Sequence, residues 1–501
     1  MKLDTLRLAG ALCTLAISTA CADNGIVTPD TPELTSITVA AEENRTELPV
    51  NGALQLTATG RDQDGAAMQT GPLAWSSADT TRARIDGQGV VTGRANGTVI
   101  LTAASATGIK GTLTLTIRGA VHRGPITQSE TWREADNPHY VADDVVVAGA
   151  SSPRLTIEPG VEIRFAEHAA IFVGGQQPGS LTADGTAAKK IRFVADDASP
   201  DKGHYYGVYF DRHTGAGSSI RHADFNHCGI DRGQVKVGAD ACIAAVEPNV
   251  APTIADVTIQ NSGSNGIVMM DGGAFGPGSA NVSVSGAELF PLVIGADFAG
   301  TLPDGGTFAG NGTNRVRIFS NEPVTRTQTW ANLGIAYSVS TDLMIGGGGS
   351  PVLTLADSVV LRMPSGATVY VGNWSGNGEP GGLVALGSRT ETAAGPVVFT
   401  RITADSDAPG KGHWDGILFA RQALGDSRLR NLSVEWAGGS EGAILTRGDR
   451  GAFITDSFIT GSAGCGIWVD PMGTTPTDLS AGALNNVFAD NDGAAFCVGD
   501  F

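Results

Sequence analysis

The sequence predicts an all-β protein in which a small antiparallel sandwich is followed by a long, internally duplicated parallel β-helix. Three observations carry this prediction: a glycine-rich, methionine-poor composition, short strands at regular turn-punctuated intervals, and a self-match across the back two thirds of the chain. The 501 residues exceed what one hydrophobic core usually serves, so at least two domains are expected. The 69 Gly and only 7 Met describe short strands and tight turns rather than long helices. A net charge of -18 and the lack of any dense basic run exclude a nucleic-acid partner, because phosphate binding relies on clustered Lys and Arg.

Residues 1–21 read as a signal peptide. Lys2 and Arg7 precede an apolar run from Leu8 to Ile17, too short for a permanent membrane span, and Ser18, Thr19, Ala20 and Cys21 follow. The segment resembles a bacterial lipoprotein signal, which implies lipidation of Cys21, although Ser18 stands where Leu is usual. Ala20-Cys21-Ala22 also satisfies the small-x-small rule, so cleavage after Ala22 to give a soluble exported chain is the competing reading. Residues 22–33, rich in Pro, Asp and Thr, form a tether.

Residues 34–118 hold seven short runs, at Ile37–Val39, Leu54–Ala58, Leu73–Trp75, Ala83–Ile85, Val90–Val91, Val99–Ala103 and Leu113–Ile117, spaced as in a β-sandwich. Trp75 is the expected core anchor and Asp62-Gln63-Asp64-Gly65 a strand-connecting turn with too few oxygen ligands for calcium. The elements Trp75 to Ser77, Gly89 to Gly93 and Gly97 to Ala103 resemble the bacterial Ig-like group 2 domain. That resemblance implies an Ig-like sandwich acting as a surface spacer or adhesive module.

Residues 119–323 and 324–501 form the two halves of the solenoid. The stretch TWREADNPHYVADDVVVAGASSPRLTIEPGVEIRF realigns with TWANLGIAYSVSTDLMIGGGGSPVLTLADSVVLRM, pairing Trp132 with Trp330 at an offset of 198. KGHYYGVYF (202–210) likewise pairs with KGHWDGILF (411–419), and the stretch 253–271 with 453–470. Within each half, strands of three to six residues alternate with Gly, Asn, Asp or Pro turns. A period of about 22 residues gives about 17 coils and a rod of roughly 80 Å. PGVEIRF, GSLTADG, KIRFVAD and GIVMMD resemble right-handed parallel β-helix proteins of secreted bacterial type, a fold shared by lyases, hydrolases, adhesins and phage fibres.

Apart from Cys13 and Cys21, four cysteines remain, and an even number in an exported chain points to disulfides. Three connectivities are open. Cys228 with Cys242 and Cys465 with Cys497 are the local pairs; the first would staple a loop that the second half lacks, and the second would pin the last coils.

The search for chemistry gives candidates but no signature. Glycoside hydrolysis needs two carboxyl groups about 5–9.5 Å apart. The acids Asp196, Asp197, Asp405 and Asp407 precede Lys202 and His204 in one copy and Lys411 and His413 in the other, but turn chemistry explains the repeat, and the two turns are expected roughly 40 Å apart. Alternation over 220–228 places Ala223, Phe225 and His227 inward, and His222, Asp224 and Asn226 outward on a solvated face. No nucleophile elbow, zincin helix or phosphate loop occurs, and no cofactor or metal is expected. Exposed aromatics could stack on sugars: Tyr205, Tyr206 and Trp414 in the repeated turns, and Trp374 in the glycine-rich loop GNWSGNGEPGG. The resulting expectation is a non-enzymatic cell-envelope protein, lipid-anchored or secreted, that contacts a polysaccharide or another surface component and meets the membrane only through its anchor. A carbohydrate-active lyase or hydrolase on the same β-helix, and a purely structural fibre, are the alternatives.

Overall fold

The computed structural model describes residues 31–230, 240–372, 378–392, 395–398 and 400–499. Cys21 and Trp374 therefore lie outside the described residues.

Two small sheets come first. Ser36–Ala41, Ala53–Arg61, Val90–Gly93 and Ala83–Ile85, with Ala67–Met68 paired to the end of Ala53–Arg61, make one; Glu47–Pro49, Lys110–Arg118, Gly97–Ser105 and Leu73–Ser77 make the other. Alternation buries Leu54, Leu56, Val91, Leu101, Leu115 and Ile117 between them. Trp75, the expected anchor, is only half-buried and packs on the rim of this aliphatic core, over Gly89. The Asp62–Gly65 turn closes as expected: Asp62 Oδ1 accepts from the Asp64 and Ala66 amides at 3.0 and 2.8 Å.

From Val121 onward the chain winds as a parallel β-helix with three faces per coil. In the first copy, face one carries Glu130–Trp132, Arg154–Ile157 and Ser180–Asp184. Face two carries 139–141, Glu162–Phe165 and Ile191–Ala195. Face three carries 145–147, Ala170–Val173, Gly207–Phe210, Ala241–Ala245, Asn265–Met269 and Leu292–Gly295. Strands Ser219–Asn226 and Thr253–Gln260 run over faces one and two without a break. They turn the corner at single left-handed residues, His222 (φ 45°) and Asp256 (φ 55°), and the second copy does the same at Asn431 and Asp456. Asn and Asp tolerate that conformation best, which explains their place at the corners. They also bond along the edge: Asn281 donates to Asp256 at 2.9 Å and Asn485 to Asp456 at 3.2 Å.

One ladder of inward residues runs from the second coil to the last: Val145, Ile171, Val208, Ile243, Ile267, Leu292, Val316, Tyr337, Leu361, Ile402, Val434, Ile459 and Phe488. Its twelve steps at roughly 4.8 Å span about 58 Å, and Val121–Ile126 adds one more coil before it. The expected 17 coils and 80 Å are thus too many and too long. The coils are not uniform: loops stretch the step from Val208 to Ile243 to 35 residues and that from Leu361 to Ile402 to 41.

The same ladder crosses from one copy to the other on different faces. Leu292–Gly295, on face three of the first copy, pairs with Arg315–Phe319, which pairs with Ala336–Val339. By the duplication, Ala336–Val339 corresponds to 139–141 on face two. The second copy is therefore turned by one face, a third of a coil, relative to the first.

Candidate functional site

Several sequence candidates belong to the interior. Tyr205 and Trp414, expected as exposed stacking platforms, are both 0% exposed. Tyr205 lies on Phe165 (centroids 4.3 Å apart) and donates to the Phe193 carbonyl at 2.9 Å; Trp414 Nε1 donates to the Glu435 carbonyl at 2.8 Å. Each polar tip is satisfied inside, so both residues serve the core. His227 departs in the opposite direction. Strand Ser219–Asn226 ends before it, its φ of 63° breaks the alternation, and it is half-exposed at a corner, as is Trp436 in the second copy.

The repeated Lys-Gly-His turns prove unlike one another. Lys411 is tied to Asp490 and Asp492 at 3.0 and 2.7 Å, and the hydrogen bonds it donates to Asp492 and Asp490 hold its ammonium above the usual lysine range. Lys202 is exposed. His204 is half-buried with its Nε2 enclosed, and His413 is half-buried. The outward row expected to be solvated is partly spoken for: Asp224 pairs with Lys190 at 2.8 Å and Asn226 accepts from Asn261 at 3.0 Å. Glu435 in the other copy is buried in a bidentate bond with Arg401 at 2.9 and 2.6 Å. Burial pushes the Glu435 carboxyl up, but the bonds from Arg401 and Ser433 outweigh it and hold it below its ordinary value. Among the described residues no group of three His, Cys, Asp or Glu stands together as a metal site.

Both disulfides form between the local partners, Cys228 with Cys242 and Cys465 with Cys497. Such bonds belong to chains that mature in oxidising surroundings.

Of the aromatic candidates, Tyr206 does lie on the outer surface, half-buried and stacked on His168 at 5.7 Å. It borders a feature that alternation alone does not show: the outward row of face three is apolar. Phe172, Tyr209, Ala244, Val268 and Val293 stand in register on successive coils. Arg317 ends the row and lies 5.3 Å from the rings of both Phe290 and Phe319.

Beside that end is a recess of ≈ 520 Å³ where the two copies meet. Its floor is Gly295, between Phe319 on the next coil and Met270 on the previous one. Phe298, in the 3-10 turn Ala296–Thr301, forms a wall. The turn is held by the segment that follows it: Gln328 bonds the Ala296 carbonyl and the Gly300 amide at 3.1 and 2.6 Å, and Asp297 accepts from the Thr325 and Arg326 amides at 2.6 and 3.0 Å. The Arg326 guanidinium lies over the Phe298 ring at 4.5 Å. Asp271, Asn321 and Glu322 form a polar rim, and no Lys or Arg lines the recess. Apolar rings, hydrogen-bonding amide and carboxylate groups and a shallow mouth suit an amphipathic, uncharged or cationic ligand. Gly295, Phe298, Phe319, Asn321 and Glu322 escaped the sequence reading because they lie in the stretch between the matched segments of the duplication. The aromatic series Phe290, Phe298, Phe308 and Phe319 within that stretch was the available signal.

No family model matches the chain and no curated protein matches it. Among solved structures it is similar to a mutant intimin of EHEC O157:H7, at 22% identity over 17% of this chain and 46% of that one, with a TM-score of 0.13. A likeness of that size carries no argument about fold or function.

Proposed function

We propose that this protein is a non-enzymatic, glycan-contacting rod of the bacterial cell envelope, with an Ig-like spacer at its base and export directed by the N-terminal signal. Lipidation at Cys21 would anchor it to a membrane. The observation that carries the reading is the Gly295 recess, where two phenylalanines and a carboxylate–amide rim reproduce the chemistry by which proteins hold sugars. The experiment is a glycan array with the full chain and Gly295→Phe. A Cβ at Gly295 meets no atom within 4 Å, so the backbone accepts a side chain there, and a phenyl ring would occupy the recess itself. Binding by the parent and its loss in Gly295→Phe, at equal thermal stability, is the expected result. Absence of binding to any glycan sinks the reading, as does release of new reducing or unsaturated ends that disappears with Lys202→Ala or His204→Ala.

A further inference from the structure

The duplication carries the apolar outward row of face three into the second copy, where Met344, Tyr370, Leu418, Leu445 and Trp468 stand in register on successive coils. In the first copy the row is closed beyond the half-buried Phe172: Tyr209 is 4%, Val268 0% and Val293 2% exposed. In the second it is partly open, with Met344 37% exposed and Tyr370, Leu418 and Trp468 half-buried. The connection leading onto this face differs between the copies. Cys228 and Cys242 are 14 residues apart, while the matching Ala437 and Ala443 are 6 apart, so the second copy lacks eight residues there.

Over Tyr370, Leu418 and Leu445 lies a recess of ≈ 290 Å³. Asp415 and Glu441 stand at its rim, both exposed, and no Lys or Arg lines it. A third carboxylate, Asp342, is fixed close by through the Thr368 amide at 2.8 Å. The recess walls strip part of the water from the Asp415 carboxyl, and this partial desolvation and the negative charge of Asp342 together raise it above its ordinary value, so the two acids repel each other in the absence of a cation. An ammonium group lying on the Tyr370 ring would relieve that repulsion and gain a cation–π contact.

We propose that this recess is a second glycan site, resting on the glycan-binding reading above, and that it takes a positively charged amino sugar. A polyanionic glycan is excluded by the rim, and a purely neutral one leaves the paired carboxylates unanswered. Because the second copy is turned by one face, this site and the Gly295 recess look out from different sides of the rod, so a single protein can touch two chains of a wall.

The test is calorimetric titration of the full chain with a glucosamine hexamer, its fully N-acetylated form and a galacturonate hexamer, at low and high salt. The glucosamine hexamer should bind most tightly and weaken with salt. Asp415→Asn should weaken it about tenfold, the scale of a lost charge-assisted hydrogen bond, and flatten the salt dependence. Tyr370→Ala should weaken it as well, and unchanged melting of both variants shows that they are folded. Equal affinity for the acetylated and free hexamers, or no effect of Asp415→Asn, overturns the proposal. If neutral glycans bind the parent and the glucosamine preference is missing, this inference falls and the Gly295 reading stands; if no oligosaccharide binds, both fall.

Discussion

The two copies solve the same packing problem with different chemistry, and the pairing of equivalent positions shows how. In the first copy the core of face two is aromatic: Phe193 and Phe225 lie parallel at 4.1 Å and Phe165 stacks on Tyr205. In the second, Met363, Ile402 and Val434 take the places of Phe165, Phe193 and Phe225, and Trp414 takes that of Tyr205. Tyr205 bridges to Cys228 and Trp414 to Ala437. The smaller side chains around Trp414 offset its extra volume, which is how a core keeps its density through divergence. The disulfide follows the same logic. Where the connection is long the first copy closes it covalently; where it is eight residues shorter, Ala437 and Ala443, both 0% exposed, suffice. Even a shared arginine has switched partners. Arg192 reaches back one coil to Glu162 at 2.8 Å, while its counterpart Arg401 reaches forward to Glu435.

Breaking each equivalence should reveal which copy depends on it. The largest losses are expected from Tyr205→Ala and Trp414→Ala, each of which empties a fully buried aromatic site at about 3–5 kcal/mol, read as a shift in denaturant midpoint. Cys228→Ala with Cys242→Ala, which imposes the second copy's residues on the first, should cost about 2–4 kcal/mol. Deleting eight residues of the intervening loop in that variant should return most of the loss, and failure to do so would separate loop length from the covalent bond as the cause.

Acid should act on the first copy before the second. His122 and His139 stack on Trp132 at 4.0 and 5.4 Å and share a hydrogen bond of 2.9 Å, whereas Trp330 meets Tyr337 instead. Burial, and then the neighbouring His139, depress His122 to about 3. A depressed histidine contributes stability that is complete above its ordinary value of about 6.5 and is lost as pH falls toward 3, about 2 kcal/mol of it by pH 5. Hydrogen exchange at pH 7 and pH 5 should show protection falling over 121–147 and holding over 328–345; uniform change would refute this assignment.

Smaller still is the contrast between the arginines. Arg401→Ala leaves the carboxylate of Glu435 buried without its partner and should cost about 1–3 kcal/mol. Arg192, well exposed, should cost about 0–1 kcal/mol when replaced by Ala. Equal losses in thermal melts would mean that the direction in which the arginine reaches has no energetic consequence.

Much of the architecture was legible in the residues themselves. Period-two alternation reports which side chains face inward, and it located the strands of the sandwich and of every coil tested by Leu155, Ile163, Ile171 and their counterparts. Self-similarity located the copies, because a duplicated solenoid repeats its own core. Asn and Asp were readable as turn residues, but the corner at His222 was not, because the alternation was followed straight through it. The misreadings of His227, Tyr205 and Trp414 share one cause: alternation says which way a residue points within a strand and nothing about where the strand stops. His227 lies one residue past such an end, and Tyr205 and Trp414 sit in turns whose inward course no periodicity marks.

Sequence alone therefore determined the secondary structure, the parallel winding, the duplication and the two locally paired disulfides as candidates, because each depends on short-range pattern or spacing. Only the tertiary structure decided that the second copy begins a third of a coil out of phase, and that Gly295, Phe298 and Phe319 converge on one recess at the seam. Both depend on how many faces the unmatched stretch between the copies traverses. That count is set by strand pairing across coils, which a one-dimensional pattern does not encode.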